Sequence, residues 1–216
     1  MTGLMMKDAL VMRKTLRLYA LFLLFYSGLA VLGVFPMSMA LAMVEVIVMV
    51  LPISSFSYDE AAKWDRYAAV LPVGRTAVVK ARYLFLLLVL LAAAAIGLVG
   101  SILASLLARE DLGELLATLL VSMGLGLMIA DIMLPVVYQL GPERARPWMY
   151  VIIFAPIVVL LGGAKLGLFD GIDLSWLDQL PELAVLVVFA LVPLVPLVGM
   201  LLSCWISCRI YARKEF

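Results

Sequence analysis

The residues of this chain best suited to chemistry lie in a charged, aromatic stretch at positions 58–82 and at two acids inside apolar runs. From Tyr58 the stretch reads Tyr-Asp-Glu-Ala-Ala-Lys-Trp-Asp-Arg-Tyr. Acidic residues favour a helix N-terminus through the helix dipole, and Pro72 stops a helix. The pattern therefore predicts a short helix that begins at Asp59 and ends before Pro72. The alternative is an ordinary interfacial loop whose Trp and Tyr side chains lie among lipid headgroups.

The two acids inside apolar runs are Glu45 and Asp131. An ionised carboxylate in lipid costs several kcal/mol, so such residues usually face a bundle interior or water. One interpretation is that they line a substrate path or pair with a cationic part of a cargo. The other is a structural hydrogen bond or a protonated acid. A helical rise of ~1.5 Å per residue places them roughly 12 Å and 24 Å below the acidic surface, so we do not expect them to touch.

Catalytic and metal-binding residue sets are not found in the sequence. The chain contains no His, which removes the commonest metal ligand and general base. No Gly is followed by Lys, so the Gly-x-x-x-x-Gly-Lys-[Ser/Thr] loop that cradles nucleotide phosphates does not occur. We therefore expect no catalytic residue, no metal and no cofactor in this chain, and any use of ATP requires a partner.

The composition predicts that lipid surrounds most of the chain. Hydrophobic residues make up 66% of the 216 residues and charged residues only 14%, whereas soluble domains are about half apolar and a quarter charged. The apolar runs do not alternate as barrel strands do, so they predict helices. We expect a single all-α transmembrane domain over residues 1–216. Its six predicted spans are about 18–35, 37–57, 83–106, 115–138, 148–169 and 183–207.

Loop charge then predicts the orientation of these spans. All Lys and Arg residues except Arg109 and Lys165 fall on the side that carries both termini. The positive-inside rule makes that side cytoplasmic. Residues 1–17 predict an amphipathic interfacial helix whose apolar residues face lipid. The segment 166–182, which contains Trp176, is expected at the outer interface.

Three short patterns resemble a known family. They are Asp-Glu-x-x-Lys-Trp-x-x-Tyr from Asp59, Leu-Pro-Val-x-Arg from Leu71, and Val-x-Lys-x-Arg-Tyr from Val78. They resemble the loop between the second and third helices of permease subunits of bacterial type-two ABC exporters. More narrowly, they are similar to the small permeases related to the exporter of phenol-soluble modulins. The N-terminal pattern from Leu4 to Asp8, followed by Arg13-Lys14, is similar to the same family.

The resemblance implies a function and a set of coupling residues. It makes 59–67 a coupling helix that docks on a separate ABC ATPase subunit, where ATP and magnesium are expected. Two copies of the chain would form a path for amphipathic or lipophilic cargo, such as peptides or antibiotics, out of a bacterial cytoplasmic membrane. The implied coupling residues are Asp59, Glu60, Lys63, Trp64, Asp65, Arg66, Tyr67, Leu71, Pro72 and Arg75.

Other function classes fit the residues less well. A self-powered secondary transporter or channel predicts internal repeats and a denser set of intramembrane polar residues. A lipid-modifying enzyme requires clustered catalytic groups near one interface. A non-transporting immunity or scaffold protein is compatible with the sequence. Nothing in the chain suggests nucleic acid as a partner.

Overall fold

The computed structural model describes residues 2–64, 67–68, 74–167 and 182–213. Throughout these ranges the regular structure is helical, with no strand. The helices are α1 (Thr2–Val11), α2 (Arg13–Val31), α3 (Met37–Ala61), α4 (Arg75–Leu107), α5 (Leu112–Leu140), α6 (Pro142–Lys165) and α7 (Glu182–Arg213).

Six of these helices are long and apolar enough to cross a membrane, namely α2 to α6 and the part of α7 from Phe189 to Arg213. The predicted all-α fold with six transmembrane helices is therefore confirmed. Large apolar side chains cover much of the outer surface, including Leu21, Phe154 and Leu201, each more than half exposed. Lipid is the solvent that such a surface requires.

The helices are longer than the predicted spans, chiefly at their charged ends. α4 begins at Arg75 rather than at position 83, and α5 and α6 are separated only by Gly141, whose φ is 80°. The predicted loop 139–147 is therefore the ends of two helices joined at one glycine. Charged residues lower mean hydropathy without ending a helix, so a span predicted from hydropathy stops too early.

The bundle is built around α3 and α5. Half of the apolar membrane-spanning stretch of α3 is buried inside the bundle, the largest share among the candidate spans. α5 packs most extensively against α7 and next against α3. α4 packs on α2, α3, α5 and α7, while α6 lies at the periphery against α3 and α5. Each of α2, α4, α6 and α7 therefore packs against at least one of the two central helices.

The connection between the first two spans is a helix end followed by a turn. Gly33, at φ 74°, donates to Ala30 O at 2.9 Å, and Val34 donates to Leu29 O at 3.1 Å. This pair of bonds is the Schellman motif, which favours glycine in the left-handed conformation. Pro36 then precedes the first turn of α3. The Phe35-Pro36 region thus separates two helices and does not kink one.

The N-terminal helix α1 differs from the prediction in which way it faces. The apolar residues of 1–17 were expected to face lipid, yet Leu4 and Ala9 of α1 pack against the core, as do Met12 and Leu16 beyond its end. Met6 and Leu10 are exposed. α1 contacts α4 and the start of α2. The helix is present as predicted, but its apolar face covers the bundle. Its charged residues explain this orientation, because Asp8 is buried against Arg82 of α4.

The helix ends form two surfaces of different charge. The basic end comprises α1, the starts of α2, α4 and α6, and the ends of α3, α5 and α7. The acidic end comprises the opposite termini with the connections 32–36 and 108–111. At the acidic end, Glu110 accepts hydrogen bonds from Met37 N at 3.2 and 3.3 Å. Most of the predicted interfacial segment 166–182 lies outside the described residues.

Candidate functional site at the basic end

The segment predicted as a coupling helix does not begin as a separate helix. α3 continues through Asp59 and Glu60 to Ala61, and Lys63 then turns the chain with φ 51°. Trp64, Tyr67 and Ala68 are helical. Four of the predicted coupling residues lie outside the described residues: Asp65, Arg66, Leu71 and Pro72. The described part of this segment is therefore an extension of the second span followed by a sharp turn.

Asp59 is buried, which the prediction of a docking role did not anticipate. Its side chain bonds Lys7 Nζ at 2.7 Å and the guanidinium of Arg82. Lys7 also lies 2.7 Å from Asp8, and Arg82 lies 3.8 Å from Asp8. These four residues, which we call the ionic cluster, join α1, α3 and α4. Buried charges are tolerated where they are paired in this way.

Aromatic rings surround the ionic cluster. Lys7 Nζ lies 4.3 Å from the centre of the Trp64 ring, and the Arg82 guanidinium lies 4.1 Å from that of Phe56. Phe56 in turn packs edge-on against Tyr138 at 4.6 Å. A cation near a ring face is stabilised further when it is desolvated. Trp64 is therefore half-buried over the cluster rather than freely displayed.

The charged and aromatic residues that face outward in the described part of 59–67 are Glu60, Lys63 and Tyr67, which we call the exposed triad. Tyr67 is 64% exposed, and Glu60 and Lys63 are also exposed. Arg75, predicted at the exit of the segment, donates instead to Ala212 O at 3.0 Å near the end of α7. The exposed triad thus begins directly after Asp59, which the ionic cluster holds in place.

The two intramembrane acids lie in different surroundings. Glu45 is half-buried where α3 crosses α5 closely: a Cβ added to Gly126 would lie 3.3 Å from Glu45 Cα. Both carboxylate oxygens of Asp131 are buried without a hydrogen-bond partner in the described structure. They face α7, where a Cβ added to Gly199 would lie 3.3 Å from Oδ2.

A hydroxyl network lies beside Asp131. Ser203 Oγ lies 2.6 Å from the main-chain oxygen of Asp131 and 2.6 Å from the Tyr83 hydroxyl. The same Tyr83 hydroxyl lies 2.8 Å from Ser207 Oγ. This network joins α4, α5 and α7 but does not reach the Asp131 carboxylate. Asp131 is consequently the more unusual of the two acids.

Sequence reasoning missed the ionic cluster because it counted Lys7 and Arg82 only as loop charges. The available signal was the acid Asp8 within an otherwise basic segment, together with Arg82 directly before an apolar run. Pairing across 52 positions, as between Lys7 and Asp59, cannot be read from spacing. No group of three His, Cys, Asp or Glu side chains suited to a metal occurs among the residues with described positions.

Comparison with known proteins gives one result that covers nearly the whole chain. Residues 3–212 match the model of the family described as ABC-2 family transporter protein. No curated protein and no solved structure matches the chain. The matched range includes the ionic cluster, all of α1 except Thr2 and all of the candidate spans except Arg213. The chain therefore belongs to the ABC-2 family of transporter proteins, and it is a multi-pass membrane protein of the permease part of an ABC transporter.

Proposed function

We propose that this chain is the permease subunit of a bacterial ABC exporter that moves amphipathic or lipophilic cargo outward. A separate ABC ATPase supplies ATP and magnesium, and two copies of the chain form the path. The family match and six candidate spans support the permease role. The narrower likeness to exporters of phenol-soluble modulins favours amphipathic peptides as cargo. Under the positive-inside rule, the basic end faces the cytoplasm, where an ATPase can reach it.

The observation that carries this proposal is the connection between the exposed triad and the ionic cluster. Asp59 lies directly before Glu60 and is held by Lys7 of α1 and Arg82 of α4. A displacement applied at the triad therefore acts on α1, α3 and α4 together. An exposed aromatic residue among charges is the kind of surface that anchors a protein interface. This is the arrangement that a coupling element needs.

Co-purification with the ATPase encoded beside the permease tests the proposal. Tyr67→Ala should weaken ATPase binding tenfold or more, about 1.4 kcal/mol or more, if Tyr67 is an interface anchor. Tyr150→Ala is the matched control, because Tyr150 is 57% exposed but lies within α6. Loss of ATPase stimulation is also expected for Trp64→Ala and for Arg66→Glu.

Two results would contradict the coupling role. The first is a permease that folds normally but does not associate with the ATPase. The second is equal loss of binding in the Tyr67 and Tyr150 variants, which would indicate general destabilisation. Failure to associate with any ATPase would instead favour a self-powered transporter or a non-transporting membrane protein.

Glu45 and Asp131 are the proposed polar points of the cargo path. Asp131 supports this role because its carboxylate has no partner within the described bundle. Glu45→Gln and Asp131→Asn should each lower export of a cationic amphipathic peptide, measured in vesicles that contain both subunits. Unchanged export by correctly folded variants would indicate that both acids have only a structural role.

A further inference from the structure

A cavity of about 400 Å³ opens at the basic end between α2, α3 and α6. It lies apart from the ionic cluster, with which it shares no lining residue. Its volume falls within the range of about 300–1,000 Å³ that small-molecule sites occupy. The described residues that line it are Thr15, Ile53, Ser54, Ser57, Tyr58, Ala61 and Arg146.

Hydroxyl groups dominate the polar lining. Thr15 Oγ1 lies 2.8 Å from the Tyr58 hydroxyl, and Ser54 Oγ lies 3.3 Å from that of Tyr19. Ser57 Oγ is buried and has no hydrogen-bond partner within the described structure. Each hydroxyl can donate one hydrogen bond. Because a buried hydroxyl without a partner costs free energy, a ligand group that reaches Ser57 Oγ would remove that cost.

The only ionisable group with a full charge in the described lining is the Arg146 guanidinium. Arg146 Nη2 pairs with Glu143 at 3.2 Å on the same helix, and both side chains are more than half exposed. Exposed pairs of this kind contribute little, about 0–1 kcal/mol. The guanidinium has five N–H donors in a fork that fits phosphate with two bonds. An anionic ligand can therefore engage Arg146 without a large loss at Glu143.

Apolar surface continues from the cavity along α3 toward the acidic end. Ile53 lines the cavity, and Val46 lies seven residues before it, about 10 Å away on the same helix face. Val46 is 42% exposed. A ligand with an anionic head in the cavity could thus lay hydrocarbon along this face. A soluble anion has no hydrocarbon part that could contact that surface.

We propose that this cavity binds the phosphate headgroup of an anionic phospholipid from the leaflet at the basic end. Arg146 bonds the phosphate, Ser57 donates a hydrogen bond to it, and the acyl chains lie along the face of α3 that carries Val46. The assignment rests on the cavity and not on the export function, so it stands or falls without an ATPase. It gives the permease a specific lipid where α2, α3 and α6 meet.

Lipid retention by purified protein tests the proposal. The permease is exchanged into nanodiscs of phosphatidylcholine with 10 mol% phosphatidylglycerol, extracted in mild detergent, and weighed by native mass spectrometry. Retained phosphatidylglycerol should exceed retained phosphatidylcholine. Arg146→Gln should weaken that retention about tenfold, the effect of losing about 1.4 kcal/mol. Arg144→Gln is the matched control, because Arg144 is equally exposed on the same turn but does not line the cavity.

Two further measurements keep the result decisive. Ser57→Ala should reduce retention severalfold while leaving the charge intact, which separates the cavity from general surface attraction. Inorganic phosphate at 10 mM should not displace the lipid. Equal losses in the Arg144 and Arg146 variants, no loss in either, or displacement by inorganic phosphate would overturn the assignment. If Arg146→Gln unfolds, the Ser57→Ala result alone decides.

Discussion

The two ends of the bundle use carboxylates in different ways. At the acidic end, Asp111 accepts hydrogen bonds from Gly113 N and Glu114 N, and Glu110 accepts from Met37 N. These carboxylates bind main-chain groups at helix N-termini, where the dipole favours negative charge. At the basic end, Asp8 and Asp59 instead bind cationic side chains that come from other helices.

The carboxylates at the acidic end stabilise single helix ends, whereas those at the basic end stabilise the packing of several helices. A capped helix end is partly exposed to water, so the loss of one cap affects mainly one helix. Arg82 of the ionic cluster is only 5% exposed, so the loss of one partner leaves a buried charge uncompensated where three helices meet. The pairing therefore favours movement of α1, α3 and α4 together at the basic end, as the proposed coupling role requires.

The largest expected effect is at Arg82. Arg82→Met should destabilise the protein by about 3 kcal/mol, because it leaves Asp8 and Asp59 with Lys7 as their only described cationic partner. The measurement is the free energy of unfolding by SDS titration in mixed micelles. Lys80→Met, an exposed change on the same helix, should stay within about 0.5 kcal/mol. Similar values for both variants would contradict the contrast between the two ends.

The next effect is the coupling between partners within the ionic cluster. Adding Asp59→Asn to Arg82→Met removes an unpaired charge, so the double variant should lose less stability than the sum of the single variants. A double-mutant cycle should give a coupling of about 0.5–3 kcal/mol. Strict additivity would show that Arg82 and Asp59 do not interact in the folded protein.

A smaller effect is expected at the cap of α5. Asp111→Ala should cost about 1 kcal/mol, as the loss of an N-cap acceptor usually does. Asp111→Asn retains an acceptor and should keep most of that stability. Neither change should alter ATPase binding, because the residue lies at the opposite end from the exposed triad. A loss of ATPase binding here would weaken the distinction between the ends.

The smallest effect is at Glu110. Glu110→Gln removes the charge but keeps a carbonyl acceptor for Met37 N, so only the interaction with the dipole of α3 is lost, about 0.5 kcal/mol. Thermal unfolding in detergent at low and high salt provides the measurement, and the difference should shrink as salt screens it. Arg109→Gln is the neighbouring control. A loss that does not depend on salt would indicate a packing role instead.

The coupling segment shows how far prediction from sequence reached. The charged and aromatic pattern after Tyr58 predicted a separate helix that begins at Asp59, whereas α3 runs through Asp59 to Ala61 and the chain turns at Lys63. It did not predict that Asp59 would be the last buried residue of α3. Burial of Asp59 depends on Lys7 and Arg82, which are distant in sequence, and no local pattern reports such a contact.

The sequence alone determined three features of the protein: its residence in a membrane, its helical structure and the number of its spans. Lipid forces long apolar segments to satisfy their own main-chain hydrogen bonds, so composition and length suffice to predict them. Only the tertiary structure decided which charges are buried together, which helix face of α1 covers the bundle, and where a cavity lined with hydroxyls opens. These features depend on side chains from separate helices meeting in space, and their free energy exists only once the helices have packed.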